Sequence, residues 1–145
     1  WQALANVIEV DADDNALISL PNSLFGLPKL AILRLSRNKI AQVPLALGGL
    51  TSLGVLTLND NSLVRLPLSI RALTSLTEFS AANNSSIDLP PAIVVEQGIE
   101  PIRAFAQVVH NTLKTRHLDL SGFRLTDLPV FVGGMTGLTA LTIAR

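Results

Sequence analysis

The sequence predicts an α/β solenoid, with a curved parallel sheet on its concave side, short helical turns on its convex side and one longer helix near residues 99–114. Three observations predict it. Apolar residues, mostly leucine, recur at a spacing of 23 residues. An asparagine and a proline keep fixed offsets inside successive periods. Between residues 91 and 114 the spacing breaks, and a helical pattern takes its place.

The first period runs Val7, Val10, Ala12, Asn15, Leu17, Leu20, Pro21, Leu24, Leu27. The second runs Leu30, Leu33, Leu35, Asn38, Ile40, Val43, Pro44, Leu47, Leu50, and the third Leu53, Leu56, Leu58, Asn61, Leu63, Leu66, Pro67, Ile70, Leu73. A fourth begins Leu76, Phe79, Ala81, Asn84 and reaches Leu89-Pro90. A fifth follows the break, with Leu118, Leu120, Leu125, Leu128, Pro129, Val132 and Met135, and a sixth starts at Leu138, Leu141 and Ile143. The organisation is therefore repeats 1–4 over residues 1–90, a helical interruption or closing segment over 91–114, and repeats 5–6 over 115–145, the last truncated. A plain leucine-rich helical protein would not hold asparagine at one offset four times and proline at another five times.

Each element has a physical reason. The first part of a period alternates as a strand with one buried face. One such strand cannot bury that face alone, but stacked neighbours form a parallel sheet over a continuous core. Asn15, Asn38, Asn61 and Asn84 follow the strands, and an amide carries both donors and an acceptor for the turn's backbone. The prolines are expected to open the first turn of a short return helix. Leu24, Leu47, Ile70 and Val132, three residues later, then face the same core. Phe123 stands in the asparagine slot of the fifth repeat, which suits the start of a new array.

These residues resemble the leucine-rich-repeat family, LxxLxLxxNxL followed by xxLPxxLxxLxx, over residues 7–90 and 115–145. The resemblance implies a domain that binds another protein.

In the interruption, Ile99, Ile102, Ala106, Val109 and Leu113 mark an apolar face at helical spacing. Glu100 and Pro101 suit the first turn of that helix, and Gly98 suits the bend before it. A short turn is expected at about 91–97 and a helix near 99–114. The stretch Pro90, Pro91, Val94, Val95, Gln97, Gly98, Ile102, Phe105 is similar to segments that close arrays in intracellular leucine-rich-repeat proteins, the Roco GTPase/kinase proteins among them. Two arrangements stay open: two arrays that meet here, or an insertion that keeps one stack continuous.

Residues between the core positions of each strand are expected to point outward. The candidate partner-binding residues are Glu9, Asp11, Asp14, Ile32, Arg34, Arg37, Val55, Thr57, Asp60 and Glu78. Adjacent strands lie roughly 4.8 Å apart, so Asp11 is expected beside Arg34, and Asp14 beside Arg37, itself beside Asp60. Ile32 and Val55 add a modest apolar strip. The face has no tyrosine, and Phe25 and Phe131 fall on the return side.

Composition excludes more than it assigns. The chain has 145 residues, 48% hydrophobic and 15% charged, with Lys+Arg and Asp+Glu equal at 11. That balance gives no general pull toward nucleic acid or a membrane surface. No run of 18 apolar residues occurs, so no membrane insertion is expected. There is no cysteine, which fits a reducing compartment and excludes thiolate metal sites. His110 and His117 show no metal-ligand spacing, and Asp11-Ala12-Asp13-Asp14-Asn15 lacks the glycine and distal glutamate of a calcium loop. Gly48-Gly49 and Gly133-Gly134 share one repeat offset and read as loop elements, not as a phosphate cradle. Trp1 stands first and no signal-peptide pattern follows, so the chain reads as a stretch of a longer protein. The expectation is a non-enzymatic, cytoplasmic protein-interaction scaffold without cofactor, metal, nucleic-acid partner or small-molecule substrate. A regulatory segment of a Roco-like GTPase/kinase and a secreted or cell-surface receptor are the alternatives.

Overall fold

The structure is a computed structural model that describes residues 5–144, so the reading at Trp1 lies outside the described residues. Six short strands occur: β1 (Glu9–Asp11), β2 (Ile32–Arg34), β3 (Val55–Thr57), β4 (Glu78–Ser80), β5 (His117–Asp119) and β6 (Ala140–Thr142). β1 to β4 form one parallel sheet in chain order, and β5 and β6 a second. Within the first sheet the register advances by one period at each step, Glu9 to Ile32 to Val55 to Glu78. β1 to β5 each place a central side chain on the core, where Leu33, Leu56 and Leu118 are fully buried, whereas Leu141 of β6 is exposed. Leu30, Leu35, Ile40, Leu47 and Leu50, with Leu53, Leu58, Leu63, Ile70 and Leu73 one period on, continue the same column of contacts.

The return side carries 3-10 turns at Asn22–Gly26, Leu45–Gly49, Leu68–Ala72 and Val130–Gly134. The prolines do not open these turns, as the sequence suggested; they precede them. Pro21, Pro44, Pro67 and Pro129 are extended, and each carbonyl accepts the N–H of Leu24, Leu47, Ile70 or Val132 at 3.0 Å. The fixed φ of proline serves an extended cap as well as a first helical position. In the fourth repeat the helix starts a residue later, after Pro91 and not Pro90: α1 spans Ala92–Val95.

The long helix, α2, spans Ile99–Thr115. Gly98 precedes it at φ 92° and ψ −168°, a region essentially reserved for glycine. Ile99, Ile102, Phe105, Ala106, Val109 and Thr112 are buried along one face. Leu113, expected on that face, is 72% exposed. The stripe steps from Val109 to Thr112 instead, where the neighbouring surface is polar backbone. The Thr112 hydroxyl lies 2.9 Å from the Val108 carbonyl and 3.2 Å from that of His117.

α2 replaces a coil of the stack. It packs on the turn Leu68–Ala72 and on α1, and touches β5. Arg103 donates to the carbonyls of Leu73 and, at 2.7 Å, Leu76, and pairs with Glu100. Phe105 is fully buried, edge-to-face with Phe123 at 5.2 Å and Phe131 at 5.7 Å. Phe123 thus fills its slot by packing on a helix, where no preceding strand end needs an amide. β4 does not pair with β5, and the return-side bridges Gln42 to Arg65 to Leu89 stop at Leu89. Among the described residues, side-chain packing and not a main-chain ladder joins the fourth coil to the fifth.

A candidate protein-recognition face

Parallel register sets the outer face of the first sheet in rows. Glu9, Ile32, Val55 and Glu78 form one row, and Asp11, Arg34, Thr57 and Ser80 the next. Ile32 and Val55 are half-buried, as is Arg34, whereas Glu9, Asp11 and Glu78 are exposed. Thr57, in the second row, has a hydroxyl oxygen that is buried without a hydrogen-bond partner.

Just beyond the strands comes a third row, Asp14, Arg37, Asp60 and Asn83, all left-handed with φ between 52° and 57°. Aspartate and asparagine tolerate that conformation best among non-glycine residues; arginine does not. Arg37 pairs with Asp14 from this conformation, including an Nη2 to Oδ2 contact of 2.5 Å.

The ion pairs differ in part from those the register suggested. Asp11 lies opposite Arg34 in the ladder, but the guanidinium pairs diagonally with Glu9. Asp11 is turned back on its own chain and accepts the Asp13 N–H at 3.1 Å. Asp60 likewise does not pair with Arg37; it accepts from Asn83 Nδ2 at 2.8 Å. Asp13 is the second carboxylate near Arg37, at 3.9 Å. Asp13 and Ser36 are drawn into the turn. Asp13 Oδ1 accepts the Ser36 N–H at 2.6 Å, and Ser36 is buried. Asn59 repeats the device two periods on by accepting the Ala82 N–H at 2.8 Å. The signal was present as an acceptor side chain two residues before the ladder asparagine at both positions.

That asparagine ladder underlies the face. Asn38 accepts the Leu17 N–H at 2.9 Å and donates to the carbonyls of Ala12, Leu35 and Ser36. Asn61 accepts from Ile40 and donates to Leu35, Leu58 and Asn59. Asn84 accepts from Leu63 and donates to Leu58, Ala81 and Ala82. Each amide serves its own turn and the preceding coil. Asn15 is exposed, and among the described residues it bonds only within its turn, to Ala12 and Asp13.

The hydrogen bond from Arg37, helped by its charge, holds the Asp14 carboxyl below the usual carboxylate range. The same pair pushes the Arg37 guanidinium further above its ordinary value. A depressed carboxylate contributes stability above its unfolded pKa and loses it as pH falls through the folded value. Both groups are fully exposed, so the effect on folding is small, but the titration itself is measurable. In an NMR titration the Asp14 carboxyl carbon is expected to change at lower pH than in Arg37→Asn. That variant should not lower the melting temperature, because asparagine relieves the left-handed strain. Equal Asp14 midpoints in the two proteins would remove the ion pair as cause.

Among the described residues no grouping of three His, Cys, Asp or Glu is placed to hold a metal ion, and no helix is long and apolar enough to cross a membrane. On the second sheet His117 Nε2 lies 2.9 Å from Thr142 Oγ1, and hydrogen bonds from Ser121 hold the Asp119 carboxyl below its usual range.

Repeated strand, ladder asparagine and short return turn define a leucine-rich-repeat solenoid. No family model matches the chain, and no curated protein matches it. Among solved structures, a leucine-rich-repeat protein of Leptospira interrogans is 34% identical with a TM-score of 0.51, over 51% of this chain and 19% of that one. The BIR2 ectodomain of Arabidopsis thaliana is 35% identical with a TM-score of 0.43, over 49% of this chain and 37% of that one. The chain thus aligns with well under half the length of either protein. The Leptospira structure supports the repeat architecture found here.

Proposed function

We propose that the chain is a non-enzymatic protein-recognition segment of a larger cytoplasmic protein, and that the outer face of the first sheet meets the partner. The observation that carries this is the set of rows on that face. The ion pairs Glu9–Arg34, diagonal across the ladder, and Asp14–Arg37 stand beside the half-buried pair Ile32 and Val55, with Asp11, Thr57, Asp60 and Glu78 around them. Rigid strands present charge of both signs next to an apolar strip. Such a surface orients a protein partner and speeds its encounter. A cytoplasmic setting is supported by the lack of cysteine. A place in a Roco-like protein is the second reading, favoured by the resemblance of residues 90–105, which form α1, Gly98 and the start of α2, to the array-closing segments of such proteins.

The test is charge reversal. Arg34→Glu with Arg37→Glu is expected to cut recovery of a cross-linked protein partner at least tenfold and to flatten the salt dependence of binding. Unchanged recovery, with an unchanged melting curve, would remove this face as the site. Fluorescent tagging of the full-length protein tests the compartment, and a secreted product would overturn the cytoplasmic reading.

A further inference from the structure

We propose that the free edge of β4 is a strand-addition site for an extended segment of a partner protein in which apolar and basic residues alternate. The inference rests on the reading above that the chain binds proteins, but its contact is the edge of β4, which adjoins that face at Glu78 and Asp60.

The first observation is main-chain. β4 is the outer strand of its sheet. Glu78 N–H donates to the Gly54 carbonyl at 3.0 Å, and the Ser80 carbonyl accepts from Leu58 at 2.7 Å. Alternation along a parallel ladder therefore turns the N–H and C=O groups of Phe79 and Ala81 away from β3. β5 does not meet them; the Ala81 carbonyl accepts from Asn84 Nδ2 at 3.0 Å, which leaves the Phe79 N–H, the Phe79 carbonyl and the Ala81 N–H without a partner among the described residues. A strand edge with unpaired donors and acceptors is a template for another strand.

The second observation is space. The edge opens on a groove of about 300 Å³, whose far wall is α1 and the turn to Gly98. Ile87, Ala92 and Val95 make part of that groove apolar. An added strand needs about 4.8 Å of clearance from β4.

The third observation is charge. No Lys, Arg or His is among the described residues that line the groove. Glu96 stands on the far wall and Glu78 at the start of the strand, and neither enters an ion pair among the described residues. Asp60 closes the other end through Asn83. An acidic frame around an apolar slot takes basic residues and repels acidic ones. Alternation follows from the strand itself, whose side chains point to opposite faces.

The probe is the octapeptide (Lys-Val)4, with (Glu-Val)4 and an alternately N-methylated (Lys-Val)4 as controls, added to the whole chain. At saturation (Lys-Val)4 is expected to slow hydrogen exchange of the Phe79 and Ala81 amides at least tenfold. N-methylation, which removes main-chain donors, is expected to weaken binding at least tenfold, and (Glu-Val)4 should not bind. Ala92→Phe fills the groove from an exposed position and should abolish the protection. Arg34→Glu with Arg37→Glu should leave it intact, which separates this site from the strand face. The proposal is overturned if Phe79 and Ala81 are already protected in the free protein, if either control binds as well as (Lys-Val)4, or if the peptide's shifts map to Arg34 and Arg37.

Discussion

Asn61→Leu is expected to lower the stability of the chain by about 3 kcal/mol, near the upper end of the cost of leaving buried polar groups unpaired. Leucine matches the volume but removes every bond of the amide. The Ile40 N–H loses its acceptor, and Ile40 is fully buried. The carbonyls of Leu35, Leu58 and Asn59 lose a donor, and the first belongs to the preceding coil. At ~2–4 °C per kcal/mol for a chain near this size, the melting temperature should fall by roughly 6–12 °C. Asn15→Leu is the control. Its amide is exposed and, among the described residues, bonds only within its own turn, so it should cost under about 1 kcal/mol. Equal losses in the two variants would show that the ladder does not act between coils.

The two asparagines look alike in the sequence, and the difference between them shows what sequence can and cannot carry. The period, the column of core leucines and the helix at 99–115 are one-dimensional patterns, and each is legible because burial imposes it at a fixed spacing. What an amide does for the coil before it depends on which residues that coil offers, as with the Leu17 N–H that meets Asn38. The ion pairs show the same limit. Spacing places Asp11 opposite Arg34, but a long guanidinium reaches diagonally to Glu9 while the short Asp11 carboxylate is captured by its own backbone. The left-handed row was partly visible in Asp14, Asp60 and Asn83 and hidden by Arg37, a residue type that gives no hint of that conformation. The role of Arg103 was not visible, because nothing in its neighbourhood signals that its guanidinium reaches the carbonyls of Leu73 and Leu76. The break between the sheets was legible only as a choice between two arrangements, since a helix of this length is compatible with either.

That break sets up the other large effect, Phe105→Ala. Removing a fully buried phenylalanine is expected to cost ~3–5 kcal/mol. Here the manner of the loss matters as much as its size. The stacks on either side of α2 share no main-chain ladder among the described residues, so Phe105 and its partners Phe123 and Phe131 carry much of the coupling between them. Weakening that cluster should let the two-strand part open by itself, a sub-global unfolding that hydrogen exchange resolves. Amides of β5 and β6 are expected to lose protection in Phe105→Ala well before those of β2 and β3. Phe123→Ala, at a half-buried position on the other side of the same contact, should produce the same pattern more mildly. A double-mutant cycle between the two should return a coupling of about 0.5–1.5 kcal/mol, the usual worth of an aromatic pair beyond its buried area. If protection instead fell evenly from β2 through β6 in both variants, the chain would unfold as one unit, and the contacts of α2 with the Leu68–Ala72 turn and α1 would have to hold both stacks without the aromatic cluster.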